Sequence, residues 1–192
     1  MSRKTKIILG LTILIIALLV CLYPVISNFT AVKYQSIVQT RYEKAVSNMD
    51  DTELKKAKED ALAYNRTLIP GVADNLSFSE EALKSAAENY ENLLNIRGDG
   101  IMGYVEIPKI DVILPIYHGT GDDSLDHGVG HLLGSSLPVG GETSHAVLTA
   151  HSGLAGQRLF SDLDKLECGD TFYVHTLDET MAYMVLEINT VL

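Results

Sequence analysis

A mainly β domain, carried behind a membrane-spanning helix and a helical stalk, is the fold class this sequence predicts. Three observations lead there. Residues 7–32 carry no charge, residues 34–94 read as helix-forming segments, and from Ile101 onward short β-branched runs are punctuated by Pro and Gly. The length of 192 residues suits one domain, or one domain with an appendage.

The anchor comes first. A bilayer core of about 30 Å takes about 20 apolar residues at a rise of 1.5 Å each, and the dense run from Ile7 to Ile26 meets that requirement. Arg3, Lys4 and Lys6 precede it, so residues 1–6 are expected to stay in the cytoplasm and the remainder to be exported. A cleaved signal peptide would have a shorter apolar region and a small-residue cleavage site. The exit Pro24-Val25-Ile26-Ser27-Asn28-Phe29-Thr30 offers no such site. The sequence therefore predicts an uncleaved anchor at 7–32, with Cys21 inside it.

Residues 33–100 are predicted to be a helical stalk and lid region. Residues 34–67 read as helix, with Asp50-Asp51-Thr52-Glu53 supplying capping chemistry midway. Val46, Leu54, Ala61 and Leu62 give it a narrow apolar face, and Ile69-Pro70-Gly71 breaks it. A second helix is predicted from Ser79, with Glu80 and Glu81 in its first turn and a stripe of Leu83, Ala86, Ala87, Tyr90, Leu93 and Leu94. It is expected to end near Arg97-Gly98.

Residues 101–192 form the β part. Predicted strands cover 103–107, 112–117, 146–149, 171–175 and a last run from Met181 to Val191, at the spacing of a small barrel or sandwich. The last run is expected to leave an unpaired, aggregation-prone edge near 181–192.

Composition excludes several functions. The formal charge of −10 deepens to −13 once Arg3, Lys4 and Lys6 are set aside, and no basic stripe is present to displace phosphate counterions, so no nucleic acid is expected as a partner. Two cysteines far apart in sequence make no disulfide framework. Six histidines fall between His118 and His175, which raises a metal reading for His127 and His131, with Asp122, Asp123 and Asp126 upstream. Gly128 and Gly130 disfavour the helix that would align the two histidines, the H-E-x-x-H arrangement is absent, and no metal site is expected. His118, His131 and His145 read as structural.

His151 is different. It follows the apolar strand Ala146-Val147-Leu148-Thr149 directly, where rigid backbone on one side and a loop on the other suit a proton-transfer group. The segments around it form a series. Gly103-Tyr104-Val105-Glu106-Ile107-Pro108-Lys109-Ile110 is followed by Leu114-Pro115-Ile116-Tyr117-His118-Gly119-Thr120 and Gly128-Val129-Gly130-His131-Leu132. Then come Ser136-Leu137-Pro138-Val139-Gly140-Gly141, Thr149-Ala150-His151 and Leu159-Phe160-Ser161-Asp162-Leu163-Asp164-Lys165-Leu166.

In this order and spacing, over about residues 79–192, the chain resembles the sortases, specifically the pilus-polymerising class C. The resemblance implies a cysteine transpeptidase on a β-barrel, without a cofactor. Its partners would be pilin or surface-protein sorting signals of LPxTG type, cleaved through a thioacyl intermediate and passed to an amine. Such chemistry needs a thiolate, a proton-handling histidine and an arginine to stabilise the oxyanion or hold the substrate, and His151 matches the family's catalytic histidine.

The departures are specific. The family's nucleophile lies in a TLxTC-like strand after the histidine and its arginine on the strand after that; the 41 residues following His151 hold neither. Cys168 sits in a turn entering a strand, and Arg158 lies seven residues after His151, so neither matches. The class C lid carries Asp-Pro before an aromatic residue; in Leu76-Ser77-Phe78-Ser79-Glu80-Glu81 only Phe78 corresponds. The sequence is therefore expected to hold the N-terminal part of an incomplete sortase-type barrel, inactive alone. The alternative is an inactive membrane-anchored protein that retains part of a sorting-signal groove.

Overall fold

The computed structural model describes residues 3–68, 89–153 and 159–190. Phe78 lies outside the described residues, as does most of the helix expected from Ser79. The described part is a six-stranded sheet with two long helices packed against it.

Helix α1 (Arg3–Ser47) is continuous, with Pro24 inside it. Along its first half the large apolar side chains are exposed, among them Ile13, Leu14, Leu18 and Val20. By length and composition it is able to cross a membrane. Its C-terminal half docks on the sheet, because Val38, Tyr42 and Val46 recur every four residues and bury one stripe against Ile101 and Tyr104. The stalk is thus part of the domain body. The Tyr42 hydroxyl donates to the Met102 carbonyl at 3.0 Å and accepts the Leu177 N–H at 2.8 Å.

The expected single helix over 34–67 is split. Asp50 accepts the N–H groups of Thr52 and Glu53, and Glu53 reaches back to the Asp50 N–H, a complete capping box that starts α2 (Asp51–Thr67). Helix α2 buries Ala61 and Tyr64. At its end Asn65 grips the backbone of Leu137 twice, accepting its N–H at 2.7 Å and donating to its carbonyl at 3.1 Å.

The strands are β1 (Ile101–Ile107), β2 (Val112–His118), β3 (Val129–His131), β4 (Leu148–Thr149), β5 (Thr171–Thr176) and β6 (Glu179–Met184), in the order β4-β3-β2-β1-β5-β6. All neighbours are antiparallel except β2 and β3. The parallel connection runs through a one-turn helix, α3 (Asp122–Leu125). Strand β3 has no counterpart among the strands expected from the sequence. Its backbone lies so close to its neighbours that a Cβ at Gly128 would press on the Pro115 carbonyl, and one at Gly130 on the Gly119 carbonyl. Those glycines therefore admit a strand where they exclude a helix.

The last strand is shorter than expected. Strand β6 ends at Met184, and Val185 exchanges backbone bonds with Gly169 and Asp170 in the turn that precedes β5. The exposed Met184, Leu186 and Ile188 lie at this edge.

Candidate functional site

Strand β4 pairs with β3 through Gly130–Thr149 and His131–Leu148, and two residues later the chain reaches His151. Two hydrogen bonds join His151 and Gly153 to the segment at Phe160 and Ser161. The Phe160 N–H donates to the His151 carbonyl at 3.1 Å, and the Gly153 N–H donates to Ser161 Oγ at 2.9 Å. The His151 ring is partly exposed, with Nε2 3.8 Å from Asp126 Oδ1. That separation exceeds a hydrogen bond and fits an ion pair when the ring is protonated. The sequence offers Asp126, just beyond α3, only as a neighbour of the candidate metal ligands. Its approach to His151 depends on the β2–β3 crossover and has no local sequence signal.

Beside this loop lies a cavity of about 440 Å³, lined mainly by apolar side chains including Leu137, Pro138, Leu148, Phe160, Phe172 and Tyr183. Leu148 is on the strand that leads to His151 and Phe160 is bonded to the His151 carbonyl, but the His151 side chain is not part of the cavity lining. A cavity of this size and lining suits apolar side chains of a ligand. His145, read from the sequence as structural, also lines it.

The other histidines are held elsewhere. His131 is fully buried. Its Nε2 lies 2.8 Å from the Ser136 carbonyl, which fixes the proton on that nitrogen, and Nδ1 lies 2.8 Å from the Tyr90 hydroxyl. Burial pushes its pKa down to about 4, so the ring is neutral near pH 7. Both ring nitrogens of His118 face carbonyl oxygens, of Gly100 at 2.9 Å and Leu93 at 2.8 Å. His127 bonds the Asp123 carbonyl and faces Tyr34. Among the described residues, no three His, Cys, Asp or Glu side chains are grouped to hold a metal ion.

Cys168 is exposed in the turn before β5. Lys109 pins that turn by bonding Glu167 at 3.1 Å and Asp170 at 2.7 Å. Cys168 does not line the cavity beside His151. Arg158 lies outside the described residues.

The fold has counterparts among solved structures. The sortase domain family model matches residues 105–192. The structure of a Streptococcus pneumoniae sortase C superposes with a TM-score of 0.65 at 44% identity, over 77% of this chain and 72% of that one. The chain belongs to the sortase family, class C. Sortase C1 of Streptococcus agalactiae is similar to the same degree, with a TM-score of 0.65 at 40% identity over 77% of this chain and 74% of that one. The sortase A of Streptococcus agalactiae is 26% identical over 149 residues, which are 76% of this chain and 55% of that protein. The chain thus spans about half the length of that sortase.

Proposed function

We propose that this chain is the N-terminal part of a membrane-anchored cysteine transpeptidase that joins pilin subunits, with His151 as its proton-transfer residue. The observation that carries this reading is His151 itself, partly exposed two residues past β4, with Nε2 3.8 Å from the Asp126 carboxylate. The similar sortase C of Streptococcus pneumoniae shows pilin substrate specificity, which supports the substrate class. The apolar half of α1 supports residues 7–32 as the anchor, with residues 1–6 inside and the body outside.

In the reaction proposed, a thiolate attacks the threonine carbonyl carbon of an LPxTG-like signal. The Thr–Gly bond breaks, and His151 gives its proton to the departing amine. An acceptor amine then attacks the thioacyl carbon, the thiolate leaves, and His151 takes up the amine's proton. Cys21 lies in the proposed anchor, and Cys168 lies in the turn that Lys109 pins through Glu167 and Asp170. Residues 1–192 alone are therefore expected not to cleave a sorting-signal peptide. The same observation favours, as a second reading, an inactive membrane-anchored protein that retains the groove.

The deciding experiment is a transpeptidation assay on the product of the whole reading frame containing these 192 codons, with a fluorogenic LPxTG-type peptide and an amine acceptor. Turnover that His151→Ala reduces by roughly 1,000-fold or more supports the enzyme reading. Turnover that survives the substitution removes His151 from the mechanism. A correctly folded product without turnover leaves the binding protein.

A further inference from the structure

Asp126 and His127 stand across a shared groove from Ser27, Thr30, Ala31 and Tyr34 of α1. The rings of Tyr34 and His127 are 6.1 Å apart. These α1 residues continue the apolar run Ile7–Ile26 in the same unbroken helix. That adjacency sets a height above the membrane for everything that touches it.

With Ile7–Ile26 filling a hydrocarbon layer of about 30 Å, the headgroups add about 5–8 Å on each side. Ser27 then emerges at the edge of the hydrocarbon. Tyr34, eight residues past Ile26, stands at most about 12 Å above it at 1.5 Å per residue, and any tilt lowers it. Asp126 and His127, lying opposite Ser27 to Tyr34, fall in or just above the headgroup layer. His151 follows, because its Nε2 is 3.8 Å from Asp126. The β5–β6 turn is higher: the Leu177 N–H is bonded to Tyr42, which stands sixteen residues past Ile26 and about 24 Å up.

We propose that the segment Gly121–Gly128 is a membrane-contacting surface whose partner is the lipid headgroup layer, and that the His151 site works at that height. This rests on the reading of α1 as a membrane span. The segment's chemistry fits a surface that rests among headgroups without inserting. Asp122, Asp123, Asp126 and His127 are exposed, and the apolar Leu125 is partly covered. The carboxylates also set a lipid preference. Anionic headgroups repel them, so contact is closer on a zwitterionic surface. A substrate reaching His151 would then have to present its reacting bond just above the bilayer, as a chain tethered in the same membrane does.

The test uses the full chain reconstituted in phosphatidylcholine vesicles. In a background of Cys21→Ser and Cys168→Ser, a bimane label is placed singly through Ile15→Cys, Asp123→Cys or Asp178→Cys. Quenching is measured with lipids carrying a nitroxide either on the headgroup or deep in the acyl chain. The label at 15 should be quenched by the deep nitroxide. The label at 123 should be quenched by the headgroup nitroxide about threefold or more above the label at 178, with less quenching when about 30% phosphatidylglycerol is included. Deep quenching at 15 with equal headgroup quenching at 123 and 178 would overturn the surface while leaving the anchor standing. Absence of deep quenching at 15 would remove the anchor, and the surface with it.

Discussion

Removing one oxygen atom from Tyr42 should loosen the attachment of α1 to the sheet by several kcal/mol. The side chain is 2% exposed, and its hydroxyl serves two backbone groups far apart in sequence, Met102 and Leu177. Met102 sits where the β1–β2 register shifts, and Leu177 opens the β5–β6 turn, so the β1–β2 and β5–β6 ladders pair neither residue. Tyr42→Phe keeps the ring and its edge contact with Tyr104, at 6.3 Å and 86°. It leaves a buried N–H and a buried carbonyl facing carbon. An unsatisfied buried group costs about 1–3 kcal/mol, and with partial relaxation the pair should cost about 2–4 kcal/mol. Urea unfolding of the full chain in mild detergent, followed by near-ultraviolet circular dichroism of its nine tyrosines, reads the loss directly. Hydrogen exchange adds location. Amides around residues 174–180 and 38–46 should exchange roughly 30-fold faster or more, while those of β2 change less. A loss below about 0.5 kcal/mol, or faster exchange spread evenly over the sheet, would refute the claim that this hydroxyl fastens helix to sheet.

Other substitutions probe other joints. Because the buried His131 has a pKa lowered from 6.5 to about 4, the unfolded chain binds a proton that the folded one does not between those values. Stability should therefore be full above about pH 6.5 and fall by about 3 kcal/mol as pH drops to 4; denaturant titrations across that window should lose this slope in His131→Gln. Asn65→Ala leaves the Leu137 N–H and carbonyl without their side-chain partner, and should cost about 1–3 kcal/mol in the same unfolding assay. Asp50→Ala removes the acceptor for the Thr52 and Glu53 N–H groups, and thermal unfolding should show a loss of about 1 kcal/mol.

Features written in neighbouring residues are legible in the sequence. The uncharged run 7–32, the Asp50–Glu53 cap and the β-branched runs that form β1, β2 and β5 each declare themselves within a few positions. Features that depend on distant partners do not. Strand β3 is three residues long and exists because β2 lies alongside it and two glycines permit the approach. The stripe Val38–Tyr42–Val46 is narrow, and nothing in the sequence shows that Ile101 and Tyr104 receive it. The helix expected to run to Arg97 has become turns by Glu91. Just before them the Tyr90 hydroxyl contacts His131 and accepts the Gly119 N–H. Of the candidate site, His151 stands out by its place after an apolar strand. Asp126, 25 residues earlier, reaches it only in three dimensions.

If α1 spans a membrane as proposed, its unbroken course has a kinetic consequence. A flexible tether would let the body tumble and sweep a hemisphere above the bilayer. A helix that runs unbroken from Pro24 into the sheet restricts that tilting and favours rotation about its own axis and drift in the plane. Encounters with another membrane-held chain then become a two-dimensional search at one fixed altitude. The effective concentration counts only partners whose reactive segment crosses that altitude. Shortening or lengthening α1 between Ile26 and Val38 by a few residues would shift that plane by about 1.5 Å per residue and turn the body by about 100° with each one. Spacer length thereby becomes a selectivity filter in its own right.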